Sequence, residues 1–228
     1  MITLFPLVLV VSGAILGWII FIGCVYITVI FHELGHLISA LLCKVKVEAF
    51  SIGFGKHFWH KKVFGIDFRI SPLLLGGYVK LRGEHDKRKN GFLSKKYRCK
   101  LFIALSGIIM NFLIAIICYL INFKSISFGL YIDWKIIIAI FTKNYEPLIN
   151  LLINYNVNVF LLQLSVMNLF CGFFNLLPIP ALDGALIWLV FLKERMKHFG
   201  KFMKKIGKIG FIILTIIQIF LIVYILWR

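Results

Sequence analysis

Four stretches of this chain carry no Asp, Glu, Lys or Arg: residues 1–31, Leu101–Phe123, Pro147–Leu182 and Ile209–Trp227. A helix that crosses the hydrocarbon core of a bilayer needs about 20 apolar residues, and each stretch is long enough. The chain therefore reads as an all-α polytopic membrane protein with about four transmembrane helices, at about 7–42, 99–122, 159–177 and 207–227. The third is broken at Pro178 and Pro180, which cannot continue a helix, and resumes to about residue 192. The first is longer than a perpendicular crossing requires, so tilt or overhang is expected. No basic residue precedes Lys44 and no small-x-small site ends the apolar run, so the N-terminal segment is expected to stay as a span. No linker or repeat divides residues 1–228, and a single membrane-embedded domain fits the length.

Charge supplies the topology. Of the 26 basic residues, fifteen lie between Lys44 and Lys100 and seven between Lys193 and Lys208, whereas the loop Lys124–Asn158 holds three. Short basic loops remain in the cytoplasm. This places 44–100 and 193–208 inside, 124–158 outside, and both termini outside. The net charge of +17 is then topological and needs no nucleic acid partner. An amphipathic, anionic-lipid-binding helix at Lys193–Lys208 is a second reading of that basic run. Five cysteines form no Cys-x-x-Cys pair and read as free or reduced thiols rather than a disulfide framework.

Residues 45–82 have a different pattern. Phe64, Ile66, Phe68 and Ile70 alternate with Gly65, Asp67 and Arg69. A period of two argues for strands, with Gly53, Gly55 and Gly65 as turn or bulge points. A small β-element between the first two helices is expected. Irregular backbone at membrane depth has to be buried in protein or line a water-filled cavity, so the element is expected to re-enter the membrane toward any site there.

His32, Glu33 and His36 form a His-Glu-x-x-His motif in the last third of the first span. Two histidines four apart on a helix share a face and can hold one zinc ion, and the glutamate beside them can accept a proton from water. Five-residue patterns also arise by chance, and two core histidines would be the plainer account. The setting argues otherwise, because a carboxylate in an apolar span is costly and marks function. A catalytic zinc takes three protein ligands and an open position. Among nine acids, only Glu33 and Asp183 lie deep within apolar sequence. Asp183 could instead cap the helical piece that follows it; beside the histidines, the ligand role is favoured. His57, His60, His85 and His198 fall in basic segments and read as surface residues.

These segments together resemble the site-2 protease family of intramembrane zinc metalloproteases, most closely its bacterial regulator-of-sigma-E (RseP) type. His32–His36 resembles the family's metal motif, and Asn175–Gly184 its Asn-x-x-Pro-x-Pro-x-x-Asp-Gly motif. Phe50–Lys56 and Leu75–Lys80 are similar to the membrane-reentrant β-element, and Gly107 with Asn111 to the Gly-x-x-x-Asn of the second core span. The resemblance implies one zinc ion at His32, His36 and Asp183, Glu33 as catalytic base, and no small-molecule cofactor beyond zinc. It implies that Asn111 and Asn175 bind substrate or shape the cleft, and that Gly76 and Gly77 permit close backbone approach. It further implies single-span or signal-peptide-like membrane protein substrates, cut near the cytoplasmic face of a bacterial inner membrane. Asn111 could equally serve interhelical hydrogen bonding, and the glycine pair a plain turn.

Ile108 and Ala185 depart from the family pattern, and both affect packing more than chemistry. The 35 residues of Lys124–Asn158 are too few for the PDZ modules of the RseP type. A catalytically silent membrane scaffold and a metal transporter are the competing functions. The intact His32, Glu33, His36 and Asp183 argue against the first. A general base beside the ligands argues against the second.

Overall fold

A computed structural model describes residues 4–84, 89–179 and 182–191. The chain begins with α1 (Leu4–Leu42), one unbroken helix of 39 residues. Its proline, Pro6, sits in the first turn, where backbone N–H groups have no intrahelical partner to lose. Lys44 adopts a left-handed φ of 52°, and Val45 N–H returns to Ala40 O at 2.9 Å. This six-to-one closure caps the orphan carbonyls of the last turn and turns the chain directly into a sheet.

The sheet has four strands, β1 (Val47–Phe54), β2 (Trp59–Val63), β3 (Ile66–Ile70) and β4 (Leu73–Leu81), in the order β2-β3-β1-β4. β1 runs parallel to β3, with Phe50 opposite Phe68, and antiparallel to β4, with Phe50 opposite Val79. The period-two pattern is resolved into two faces. Phe50, Ile66 and Leu81 are buried with Leu37, Ala40, Val45, Phe92 and Ile103, and Ile52, Phe68 and Val79 pack against that cluster. Asp67, Arg69, Lys62 and Lys80 occupy the opposite face, along the groove they help to line. Burying a side chain the size of Phe50 is worth about 1.5–3 kcal/mol, so the apolar face fixes the register. β4 is an edge strand.

α2 (Tyr97–Phe123), α3 (Ile126–Thr142), α4 (Glu146–Asn154), α5 (Val159–Leu176) and α6 (Asp183–Phe191) follow. The described residues group into two compact units. One contains Ile30–Met110 and the chain from Gly172, hence the sheet, the end of α1, the start of α2 and α6. The other contains the first part of α1 and Asn111–Cys171. In that second unit Cys24, Cys118 and Leu164 form an apolar contact, and Asn168 Nδ2 donates to Thr28 Oγ1 at 3.0 Å. Asn122 and Asn158 exchange side-chain and backbone hydrogen bonds at 3.1 and 2.9 Å, tying the end of α2 to the start of α5. Small and polar side chains are what hold helices together where the hydrophobic effect is absent.

Among the described residues three helices are long and apolar enough to cross a membrane: Leu16–Leu42, Tyr97–Phe123 and Val159–Leu176. The expected fourth span, 207–227, lies outside the described residues, as do His85, His198 and Lys193–Lys208. The expected outer loop is instead helical, as α3 and α4. Ser125 caps α3 by accepting from Phe128 N–H at 3.2 Å. Gly129, Ile132, Asp133 and Ala139 then form its buried face, on which Asp133 accepts a hydrogen bond from Tyr119 Oη of α2. Charge placement marks this segment only as the connection between two spans; Asp133, one of its charges, is a buried helical contact.

Candidate metal centre

α1 brings His32 and His36 onto one face, since i and i+4 are neighbours on a helix. Their Nε2 atoms lie 3.3 Å apart. The chain turns at Leu177–Ile179 after α5 ends, with Ile179 N–H to Leu177 O at 2.7 Å. Asp183 opens α6, and its Oδ2 lies 2.9 Å from His32 Nε2 and 3.0 Å from His36 Nε2. Gly184 makes that turn possible, because a Cβ there would stand 2.6 Å from Leu176 O. Among the described residues, His32, His36 and Asp183 are the one group of three or more such side chains whose ligand atoms could share an ion.

The surroundings orient the imidazoles. His36 Nδ1 donates to the Ile103 carbonyl at 2.7 Å, which leaves the Nε2 lone pair facing His32 and Asp183. Ser106 Oγ also donates to Ile103 O at 2.7 Å and shares a hydrogen bond of 2.7 Å with Ser39 Oγ. The two helices meet backbone to backbone here. A Cβ on Gly35 would stand 2.8 Å from the Ser106 carbonyl carbon, and a Cβ on Gly107 would stand 2.7 Å from His32 Cε1 and 2.8 Å from His32 Nε2. Both glycines are needed for a cradle that the imidazoles fill.

Two imidazole nitrogens and one carboxylate oxygen, each within about 3 Å of the others, suit a small tetrahedral divalent cation with a fourth position left over. Nitrogen and carboxylate donors with an open position are the donor set of catalytic zinc. The residues present fit such an ion, and without a cation or protons the two Nε2 lone pairs and the carboxylate would repel.

Glu33 is 7% exposed and next to this group. Above it lies β4: a Cβ on Gly77 would stand 2.7 Å from Glu33 Cγ and 2.6 Å from Ser51 O. Gly76 holds a φ of 151° with Phe54 at 3.0 Å from its Cβ position. The glycine pair is thus a point of close backbone approach. Asn111 is fully buried on α2, in the other compact unit, and Asn175 is half-buried near the end of α5. His60 pairs with Asp67 at 3.4 Å on the sheet. The Ile103 carbonyl was not picked out by sequence reasoning, and Ser106 and Gly35 entered it only as members of the motif segments, with no role assigned. A backbone carbonyl leaves no residue signature, but small residues at Gly35, Ser39, Ser106 and Gly107 were a readable sign of helix contact.

A family model described as Peptidase family M50 matches residues 20–217. A protein of Helicobacter pylori (strain J99 / ATCC 700824), named "Putative zinc metalloprotease", is 46% identical over 97 residues, covering 39% of this chain and 28% of that one. A Campylobacter jejuni protein, "Putative zinc metalloprotease Cj1068", is 40% identical over 100 residues, 41% of this chain and 27% of that one. The regulator of sigma E protease of Haemophilus influenzae is 38% identical over 106 residues, 43% of this chain and 24% of that one. The matched segments thus span about a quarter of these relatives' lengths. With the family model covering the histidine pair, the sheet and the segment around Asp183 in a single match, the chain belongs to peptidase family M50.

Proposed function

We propose that the chain is an intramembrane zinc endopeptidase of the site-2 type, with His32, His36 and Asp183 as zinc ligands and Glu33 as catalytic base. The observation that carries this reading is the approach of Asp183 Oδ2 to both His32 and His36 Nε2, with Glu33 adjacent, on a helix apolar enough to cross a bilayer. A zinc ion there supplies Lewis acidity toward the scissile carbonyl and makes water easier to deprotonate. Glu33 accepts the proton of the attacking water on its carboxylate and returns it to the leaving amine. The Ile103 carbonyl keeps His36 in the tautomer that leaves Nε2 open.

The substrates are single-span or signal-peptide-like membrane proteins, and cleavage lies near the cytoplasmic face of a bacterial inner membrane, with both termini outside. A helical substrate hides its amides and has to unwind locally. The outer edge of β4 can hold the extended stretch by strand addition, within reach of Glu33 because Gly77 has no side chain; the sheet then acts as the membrane-reentrant element. Asn111 and Asn175 shape the cleft. With only Lys124–Asn158 between the second and third spans, selectivity comes from the cleft itself rather than from a PDZ module.

The test compares wild type with Glu33→Gln for zinc content and cleavage of a single-span substrate in vesicles. Zinc retained with cleavage reduced by about 100-fold or more is the expected result. Equal cleavage by the two proteins would remove Glu33 from the role. A proline in the outer edge of β4 is expected to stop cleavage while leaving zinc bound; unchanged cleavage would dispose of strand addition.

A further inference from the structure

The sheet face turned away from the metal ligands has no part in that chemistry, yet it forms an open groove of about 560 Å³ lined by charged side chains. Its two carboxylates are already engaged. Glu48 pairs with Lys80 at 3.3 Å, and Asp67 pairs with Arg69 at 2.6 Å and with His60 at 3.4 Å. The hydrogen bond from Arg69 holds the Asp67 carboxyl below the usual carboxylate range. Lys46, Lys62 and Arg82 line the same groove, and among the described residues none of the three forms an ion pair. Among the described residues, the groove therefore presents a surplus of cations.

The register says at what depth. Lys46 follows the cap of α1 directly, and Arg82 N–H donates to Lys46 O at 2.8 Å. Lys62 lies opposite Asp67, which lies opposite Ala49 near the start of β1. The unpaired cations thus cluster at the end of the sheet level with the end of α1, where a span leaves the hydrocarbon and meets phosphates. At the same end, Phe64 and Gly65 form the two-residue turn between β2 and β3, closed by the Val63–Ile66 pair. Phe64 takes a φ of 49° and is 101% exposed. Turns of this kind favour Asn-Gly. A bare phenylalanine ring beside a cationic groove suits a surface that is apolar below and anionic above.

We infer that the groove of Lys46, Lys62 and Arg82 binds the phosphate headgroups of anionic phospholipids, with Phe64 set into the adjoining acyl boundary. This rests on the reading of α1 as a membrane span. The bound headgroups fix the depth of the sheet, and through Gly77 the height of β4 above Glu33.

The full chain, reconstituted in phosphatidylcholine vesicles, is probed with trace spin-labelled phosphatidylglycerol or spin-labelled phosphatidylcholine. The motionally restricted fraction of each label is read by electron paramagnetic resonance. Wild type is expected to prefer phosphatidylglycerol. Substituting Lys46→Gln, Lys62→Gln and Arg82→Gln together lowers that preference by about three-fold or more, given the attraction of each surface cation to anionic lipid. A control with Lys89→Gln, Lys96→Gln and Arg98→Gln removes the same charge from other exposed positions and keeps the preference. Unchanged circular dichroism and zinc content show that both variants fold. An unaltered preference in the groove variant, or an equal loss in the control, overturns the proposal. So does displacement of the labelled lipid by inorganic phosphate, which marks a free-phosphate site, or by a soluble oligoaspartate peptide, which marks an acidic-peptide site. If neither label is restricted, the membrane-span reading fails with it, whereas failure of the Glu33→Gln comparison leaves this result standing.

Discussion

Asp183 Oδ2 lies 3.0 Å from His36 Nε2, although 147 residues separate the two in the chain. A contact over that distance depends on the turn at Leu177–Ile179 and on the absence of a side chain at Gly184, so it can be tested from either side. Asp183→Ala is expected to lower zinc affinity by at least about 100-fold, more than the usual cost of losing an outer-shell partner, while helix content stays unchanged. Zinc analysis after dialysis at fixed free metal reads the result. Undiminished affinity would exclude Asp183 as a ligand.

Gly107 faces the imidazoles with no side chain of its own. Gly107→Ala places a methyl against His32 and His36, and inserting a methyl into a tight contact costs about 1–3 kcal/mol. The variant is expected to bind zinc about 10-fold or more weakly and to unfold at a lower temperature. Gly17→Ala, where a Cβ meets nothing within 4 Å, is the control and is expected to change neither.

Gly77→Ala tests the other side of the centre. The added methyl meets Glu33 Cγ and Ser51 O, so β4 has to lift. Cleavage is expected to fall by about 100-fold, in line with the cost of a small misplacement near the reacting atoms, with zinc content unaffected. If zinc is lost together with cleavage, β4 supports the ligands rather than the substrate.

Tyr119 and Asp133 join α2 to α3, and Asp133 Oδ1 is buried with no hydrogen-bond partner among the described residues. Tyr119→Phe removes the donor to the other carboxylate oxygen and is expected to cost about 1–3 kcal/mol of stability. Asp133→Leu added to that variant is expected to recover part of the loss. Denaturant titration of Tyr119→Phe, Asp133→Leu and the double variant against wild type gives the coupling, and simple additivity would show that the pair contributes nothing as a pair.

Much of the candidate site was legible because its signals are local. His32 and His36 lie within one helical turn, and the scarcity of acids in apolar sequence singled out Asp183. The strands were legible from their period of two, but that period says nothing of order, and the parallel pairing of β1 with β3 depends on packing against Leu37 and Ile103. The helices α3 and α4 fall in a segment that charge placement marks only as lying between two spans, and the contact of Asp133 with Tyr119 has no local sequence signal. The Ile103 carbonyl was invisible because every residue has one. The expected fourth span lies beyond the described residues.

The bare contact of Gly35 with Ser106 has a consequence for how a substrate can arrive. Parting α1 from α2 would draw the Ile103 carbonyl away from His36 and release the ring that it aligns. On the protease reading, the helix pair therefore serves as a fixed wall, and a substrate reaches Glu33 without prising these two helices apart.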